Sequence, residues 1–164
     1  MRAARQGAGR PAARPRARRR KPELPRVDLG PLETSIGYRL RRAQLAVFED
    51  AIRVFGEAGL RPGSFSVLLV IGRNPGLKQS DVCAALGIQR TNFVGLIDTL
   101  ESRGLVARRR AANDGRSYAL HLTAAGKRLV AHAMKLQRRH DAALARKLGP
   151  GGRDELLDLL GKLT

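Results

Sequence analysis

Apolar residues recur at helical spacing in several separate segments of the chain. Between about Lys78 and Leu86 they fall four residues apart, and Gly87 ends the segment. A second segment begins near Arg90, and its apolar positions follow the i, i+3, i+4, i+7 pattern: Phe93, Leu96, Ile97 and Leu100. Because glycine tolerates the positive φ of a helix end, this pattern predicts two short amphipathic helices joined by a tight turn.

After Gly104 the pattern changes to an alternation with period two. The run from Leu105 to Arg110 predicts a strand with a cationic edge, and the run from Ser117 to Leu122 predicts a return strand. Asn113-Asp114-Gly115 is strong turn chemistry between them, and Thr123 is expected to cap the following helix. The face of the return strand that is expected to be buried carries Tyr118, Leu120 and Leu122.

Longer helical patterns flank this unit. Residues 33–58 carry two apolar stripes, which require two packing partners, and Ser64 is a good cap for a helix from Phe65 to Arg73. Further helices are predicted over 123–148 and 152–163. The predicted fold is mainly α with a small β wing, namely a winged helix-turn-helix with dimerisation helices at 33–58, 123–148 and 152–163. Residues 29–164 form this domain, whose reading unit spans 62–126, and residues 1–28 precede it as a basic tail.

The outward face of the second helix has the chemistry of a DNA reader. Short polar side chains there can reach base edges, and a cation beyond the hairpin tip can enter a minor groove. Two helices with a glycine turn are common, and Asp-Gly-Arg is also typical of a solvated turn. The order of the elements, two helices followed by a basic hairpin, nevertheless favours DNA binding. The candidate DNA contacts are Gln89, Arg90, Thr91, Asn92, Val94, Gly95, Arg108, Arg110, Asp114 and Arg116.

The same residues resemble the MarR family of bacterial transcriptional regulators over residues 33–163. The matching elements are Leu86-Gly87-Ile88, the run from Leu100 to Val106, Asp114-x-Arg116, and Leu122-Thr123-x-x-Gly126. The resemblance implies a homodimer with the recognition helix and wing arginine on double-stranded DNA, and often a small-molecule pocket between the two halves. Gln89 and Gly95 depart from the residues usual in the family, so the bases that are read stay open.

An effector pocket of the family type is expected between helix 33–58, the helix from Ser64 and the start of helix 123–148. The first of these helices is basic, which suits an anionic aromatic carboxylate or its coenzyme A thioester. The alternative is a solvated charged face. The candidate ligand-binding residues are Arg39, Arg42, Arg53 and Phe65.

The net charge of +18 is unevenly distributed along the 164 residues. Residues 1–26 hold nine arginines, Lys21 and Glu23, a net of +9, and too few apolar residues to offset the entropy of ordering. We expect a disordered arm that adds phosphate contacts and salt dependence. Alternatives are a partial AT-hook, a start placed too far upstream, and an organelle transit peptide.

Little in the chain indicates catalysis. His121, His132 and His140 lack partners at ligand-like spacing, so we expect no metal, no cofactor and no enzymatic activity, and a surface or interface role for the histidines. Cys83 is the only cysteine of the sequence, so an internal disulfide is excluded. Buried packing of its side chain is favoured over redox sensing. No run is long and apolar enough for a membrane span, so a cytoplasmic, nucleoid-associated protein is expected.

Three functions are candidates for a chain with these features. The first is a ligand-responsive dimeric repressor that binds an inverted repeat with half-sites about 34 Å apart. The second is an architectural DNA-binding protein resembling linker histones, and the third is an enzyme or RNA-binding protein that happens to be basic. The flanking helices favour the first.

Overall fold

A computed structural model describes residues 27–111 and 114–163, except for the side chains at 111 and 114–117. Within that part the chain is mainly helical with one antiparallel hairpin, which confirms the predicted fold class. After a short 3-10 turn at Gly30–Thr34, the elements are α1 (Ile36–Gly56), α2 (Pro62–Arg73), α3 (Gln79–Leu86), α4 (Arg90–Ser102), β1 (Val106–Ala111), β2 (Asp114–Leu122), α5 (Ala124–Leu148) and α6 (Gly152–Gly161).

Two predicted helix starts were wrong. The long first helix begins at Ile36 rather than at residue 33, because Glu33 belongs to the 3-10 turn and Ser35 caps α1 by accepting from the N–H of Tyr38. Helix α2 begins at Pro62, so Ser64 lies inside its first turn and is not its cap. Proline fits the first helical position because the N–H it lacks would have no partner inside the helix.

The helix-turn-helix follows the predicted segments closely. Gly87 ends α3 in the left-handed region at φ 61°, and the N–H of Ile88 closes the turn on the carbonyl of Cys83 at 3.1 Å. Helix α4 then spans Arg90–Ser102 and buries Phe93, Ile97 and Leu100. Burial of this stripe fixes which face of α4 is turned outward.

The hairpin is longer than predicted. Ala111 pairs with Asp114, so Asp114 and Gly115 belong to β2 rather than to the turn, and the return strand starts three residues before Ser117. Leu120 is fully buried, but Tyr118 is 51% exposed, which corrects its predicted burial. Tyr118 lies opposite Arg110, farther out along the hairpin than the core reaches.

One core joins the reading unit to the flanking helices. Its buried apolar side chains come mainly from α1 to α5 and both strands, and helix α6 contributes none. The outer stripe of α1 and all four leucines of α6 stay exposed in the single chain. The core residues with no exposed surface are Val67, Leu68, Ile71, Val82, Phe93, Ile97, Leu120 and Ala133.

A tight joint connects α4, β1 and α5. The N–H of Thr123 donates to the carbonyl of Leu105 at 3.1 Å, and its hydroxyl donates to the carbonyl of Gly104 at 2.6 Å. The same hydroxyl accepts from the N–H of Gly126 at 3.0 Å, which confirms Thr123 as the cap of α5. A Cβ at Gly126 would lie 2.1 Å from the carbonyl oxygen of Leu105, so this close approach requires glycine.

Candidate DNA interface and ligand cavity

The first half of α4 presents an open polar surface. Gln89 precedes the helix, and Arg90, Thr91 and Asn92 occupy its first turn, all exposed. Within the described part of the chain, these four side chains make no hydrogen bond or ion pair. Val94 is 41% exposed, and a Cβ at Gly95 would meet no atom within 4 Å. A nucleic acid could therefore approach the helix closely along this half.

The second half of α4 is committed to contacts within the protein. The hydroxyl of Thr99 donates to the carbonyl of Gly95 at 2.8 Å, and that of Ser102 donates to the carbonyl of Thr99 at 2.9 Å. Asp98 holds an arginine from the hairpin. The outward face available to a ligand thus ends near Gly95.

Arg108 connects the hairpin to α4. Its guanidinium donates to Oδ1 of Asp98 at 2.5 Å and to Oε2 of Glu101, and its backbone N–H donates to Oε1 of Glu101 at 3.3 Å. Burial lowers the pKa of Arg108, but the hydrogen bonds and charges of the two carboxylates outweigh this effect, so that the net shift is upward. Arg108 is turned toward α4 and paired there with two carboxylates, and its expected contact with DNA stays a prediction.

The cations of the hairpin divide between inward and outward positions. Arg109 and Arg110 are exposed on β1, whereas Arg108 is half-buried. Asp114 and Arg116 lie in β2 by their backbone, and their side chains are outside the described residues. Their predicted DNA contacts therefore stay predictions.

A cavity of about 400 Å³ lies between α1, α2 and α5. Its α5 wall is formed by residues 137–144. The cavity therefore adjoins the second half of that helix, whereas the sequence predicted a pocket at its start. At this level α1 lies against α5, where Oδ2 of Asp50 is 3.4 Å from Nε2 of His140. The apolar walls are Val47, Ala51, Phe55, Phe65, Leu69 and Leu144.

Phe65 is the one predicted ligand residue found among the described side chains that line this cavity. Its ring stacks on Phe55 with centroids 4.7 Å apart. The three arginines lie elsewhere: Arg39 donates to the carbonyl of Glu33 at 2.6 Å, Arg42 is exposed, and Arg53 pairs with Asp50 at 2.5 Å. The basic face of α1 and the cavity are thus separate features.

His140 is a buried polar side chain of this region, with 4% of its surface exposed, so of the expected surface or interface role the surface alternative is wrong. Its Nε2 lies 3.4 Å from Oδ2 of Asp50 but has no hydrogen-bond partner within the described chain. The hydrogen bond from Arg53 holds the pKa of Asp50 below its ordinary value, so this carboxylate is ionised at neutral pH. The sequence carried one signal that was missed, since Ala133, Leu136 and His140 share an apolar stripe of α5.

The remaining candidate residues do not form a metal-binding or catalytic cluster within the described part of the chain. Cys83 is half-buried against the core, His121 is half-buried and His132 is exposed. In residues 27–111 and 114–163, no three His, Cys, Asp or Glu side chains are grouped so that they could hold a metal ion. None of the helices described in the structure has the length and hydropathy needed to cross a membrane.

We predict that Arg108→Ala lowers the free energy of unfolding by about 1 kcal/mol, because Asp98 and Glu101 lose their shared cation and partly solvated ion pairs are worth about that much. Urea denaturation measures the change, with Arg109→Ala as the matched control, expected within about 0.5 kcal/mol of the wild type. Equal effects of the two substitutions would show that the Arg108 contacts contribute nothing to stability.

Comparison with known proteins agrees with this geometry. A model of the MarR family matches residues 58–117. A protein of Thauera aromatica, described as a transcriptional regulatory protein for the hcr operon, is 33% identical over 142 residues, or 86% of each chain.

Two solved structures of the transcriptional repressor CouR superpose on the chain. One is bound to a 23-mer DNA duplex, with 43% identity and a TM-score of 0.80 over 84% of this chain and 98% of that one. The other is bound to p-coumaroyl-CoA, with 41% identity and a TM-score of 0.78 over 84% and 97% of the two chains. On the fold, the helix-turn-helix and these relatives, the chain belongs to the MarR family of transcriptional regulators.

Proposed function

We propose that this protein is a repressor that binds an inverted-repeat operator as a homodimer and is released by an aromatic acyl thioester. The observation that carries the DNA-binding part is the open half of α4, where Gln89, Arg90, Thr91 and Asn92 have no partner within the described chain. The side chains of Gln and Asn can form two hydrogen bonds with the edge of adenine, and Arg can contact phosphate or guanine. The 23-mer duplex bound by CouR supports this assignment.

The wing completes the proposed DNA interface. Arg109 and Arg110 are exposed on β1, and Arg116 follows the hairpin tip in β2. In this proposal Arg116 enters the minor groove and Asp114 orients it, while Gly95 and Val94 face the bases of the major groove. Asp98 and Glu101 of α4 bind the guanidinium of Arg108. In this proposal α4 is the recognition helix, and Arg108 positions the wing against it.

The proposed dimer rests on apolar surface that the single chain leaves exposed. Leu157, Leu159 and Leu163 on or beyond α6 are each at least half exposed, and so is Ile36 of α1. A groove of about 680 Å³ between α1, α5 and α6 is lined mainly by Leu40, Ala43, Val47, Leu144, Leu156 and Leu160. Contiguous apolar surface of this kind is rare on monomers, and a second copy of these helices would cover it.

The proposed ligand class follows from the charges around the α1, α2 and α5 cavity. Among the described side chains that line it there is no lysine or arginine, and Asp141 is acidic. A free carboxylate buried there would lack a cationic partner, whereas a thioester is neutral at the acyl group. The nucleotide of such a thioester would lie outside, where Arg39 and Arg42 are candidates for its phosphates. Arg53 is instead paired with Asp50, which adjoins His140. CouR bound to p-coumaroyl-CoA supports this class.

For DNA binding, we predict that Arg116→Ala weakens operator affinity by about 1 to 3 kcal/mol. Fluorescence anisotropy on the duplex upstream of the protein's own gene, and on a scrambled duplex, measures the change. The exposed Arg153→Ala on α6 is the control and should leave affinity unchanged. Wild-type binding that does not distinguish the two duplexes would favour an architectural protein instead.

For dimerisation, we predict that Leu157→Asp with Leu159→Asp raises the dimer dissociation constant at least about tenfold, because burying an unpaired carboxylate costs several kcal/mol. Sedimentation equilibrium measures the constant. Asp158→Ala, between the two leucines, is the control and should leave it nearly unchanged. A wild-type chain that sediments as a monomer at micromolar concentration would rule out this dimer.

For the ligand, we predict that p-coumaroyl-CoA binds at least about tenfold more tightly than free p-coumarate, because the free acid must bury an unpaired charge. Isothermal titration calorimetry gives both constants, and the anisotropy assay shows which compound releases the duplex. Desulfo-CoA, which has the nucleotide without an acyl group, controls for binding by phosphates alone. Equal affinity for acid and thioester would contradict the assignment.

A further inference from the structure

His140 has a hydrogen-bonding capacity that the folded chain leaves unused. The side chain is 4% exposed, and its Nε2 is enclosed without a partner in the described residues. Its Nδ1 lies 4.0 Å from Oδ1 of Asp141, beyond hydrogen-bond distance. A buried polar group without a partner typically costs about 1 to 3 kcal/mol, so such a group in a folded protein requires an explanation.

His140 lines the α1, α2 and α5 cavity among largely apolar walls. A ligand that fills this cavity therefore meets one imidazole surrounded by aliphatic and aromatic side chains. Sites of this type use a few placed polar groups to fix the orientation of an apolar ligand. The ligand group that meets His140 must then be polar itself, because an apolar group would leave the imidazole without a partner in the complex as well.

The charges beside His140 restrict that polar group to a neutral one. Asp50 lies 3.4 Å from Nε2, and Asp141 lies 4.0 Å from Nδ1. Arg53 hydrogen-bonds Asp50 at 2.5 Å and keeps it ionised. An anionic group of the ligand placed here would face two carboxylates at short range.

A hydroxyl matches this environment better than other neutral groups. A hydroxyl can both donate and accept, so it can bond the imidazole whichever ring nitrogen carries the proton. A phenol carries a hydroxyl on a flat ring that fits between apolar walls, whereas a methoxy group can only accept.

We propose that His140 is a specificity-determining residue that selects acyl groups with a hydroxyl on the far end of the aromatic ring. Asp50 and Arg53 act through it as positioning residues. The inference rests on the thioester binding proposed above and adds the part of the acyl group that is recognised. It places the ring hydroxyl at His140 and the thioester end toward the opening of the cavity.

The test compares two thioesters that differ in one hydroxyl, p-coumaroyl-CoA and cinnamoyl-CoA, by calorimetry on the full chain. We expect the wild type to prefer the hydroxylated ligand at least about tenfold, as sites built to bond a hydroxyl reject analogues that lack it. In His140→Leu the ratio of the two dissociation constants should fall to within about twofold of one. His132→Leu, an exposed histidine of the same helix, should keep the wild-type ratio.

The ratio separates recognition from a structural role of His140. A histidine needed only for packing would change stability and weaken both ligands alike, and an unchanged ratio in His140→Leu would overturn the proposal. His140→Phe, which keeps a flat ring of similar width, serves if the leucine variant does not fold. Equal wild-type binding of both thioesters also overturns it, but leaves the repressor function intact. Failure of the wild type to bind either one overturns the proposed ligand class too.

Discussion

The contact of Thr123 and Gly126 with the Gly104-Leu105 backbone sets the geometry on which the rest of the molecule depends. At this point the recognition helix has ended, the wing begins, and α5 starts its long course away from the DNA-binding unit. Thr123 donates to the carbonyls of both Gly104 and Leu105, which lie between the end of α4 and the start of β1. A glycine at 126 lets the backbones approach more closely than any Cβ would permit.

A second constraint fixes the wing against α4. Arg108 bridges Asp98 and Glu101, so the hairpin cannot change its angle to the recognition helix without separating charged groups. The arrangement divides α4 by role. Its second half contacts the wing and the core, while the side chains of its first half are exposed. Helix α5 runs from the joint at Thr123 past His140, and so one helix borders both the helix-turn-helix unit and the α1, α2 and α5 cavity.

Much of this could be predicted from local pattern. The spacing of Phe93, Leu96, Ile97 and Leu100 placed α4 correctly, since period and burial are linked within a helix. Glycine at 87 and threonine at 123 marked a helix end and a helix start through their own backbone and side-chain chemistry. One error occurred where two local signals competed: Ser64 resembled a cap, but Pro62 had already started the helix.

The sequence by itself determined the elements, the two-stranded wing and the outward polar face of α4, because each depends on residues within a few positions of one another. Tertiary structure decided which side chains of different elements contact one another. It placed Arg108 on two carboxylates of the preceding helix and Asp50 of α1 beside His140 of α5. It also separated the basic face of α1 from the cavity. Such pairings depend on how whole helices cross, and no local spacing encodes that crossing.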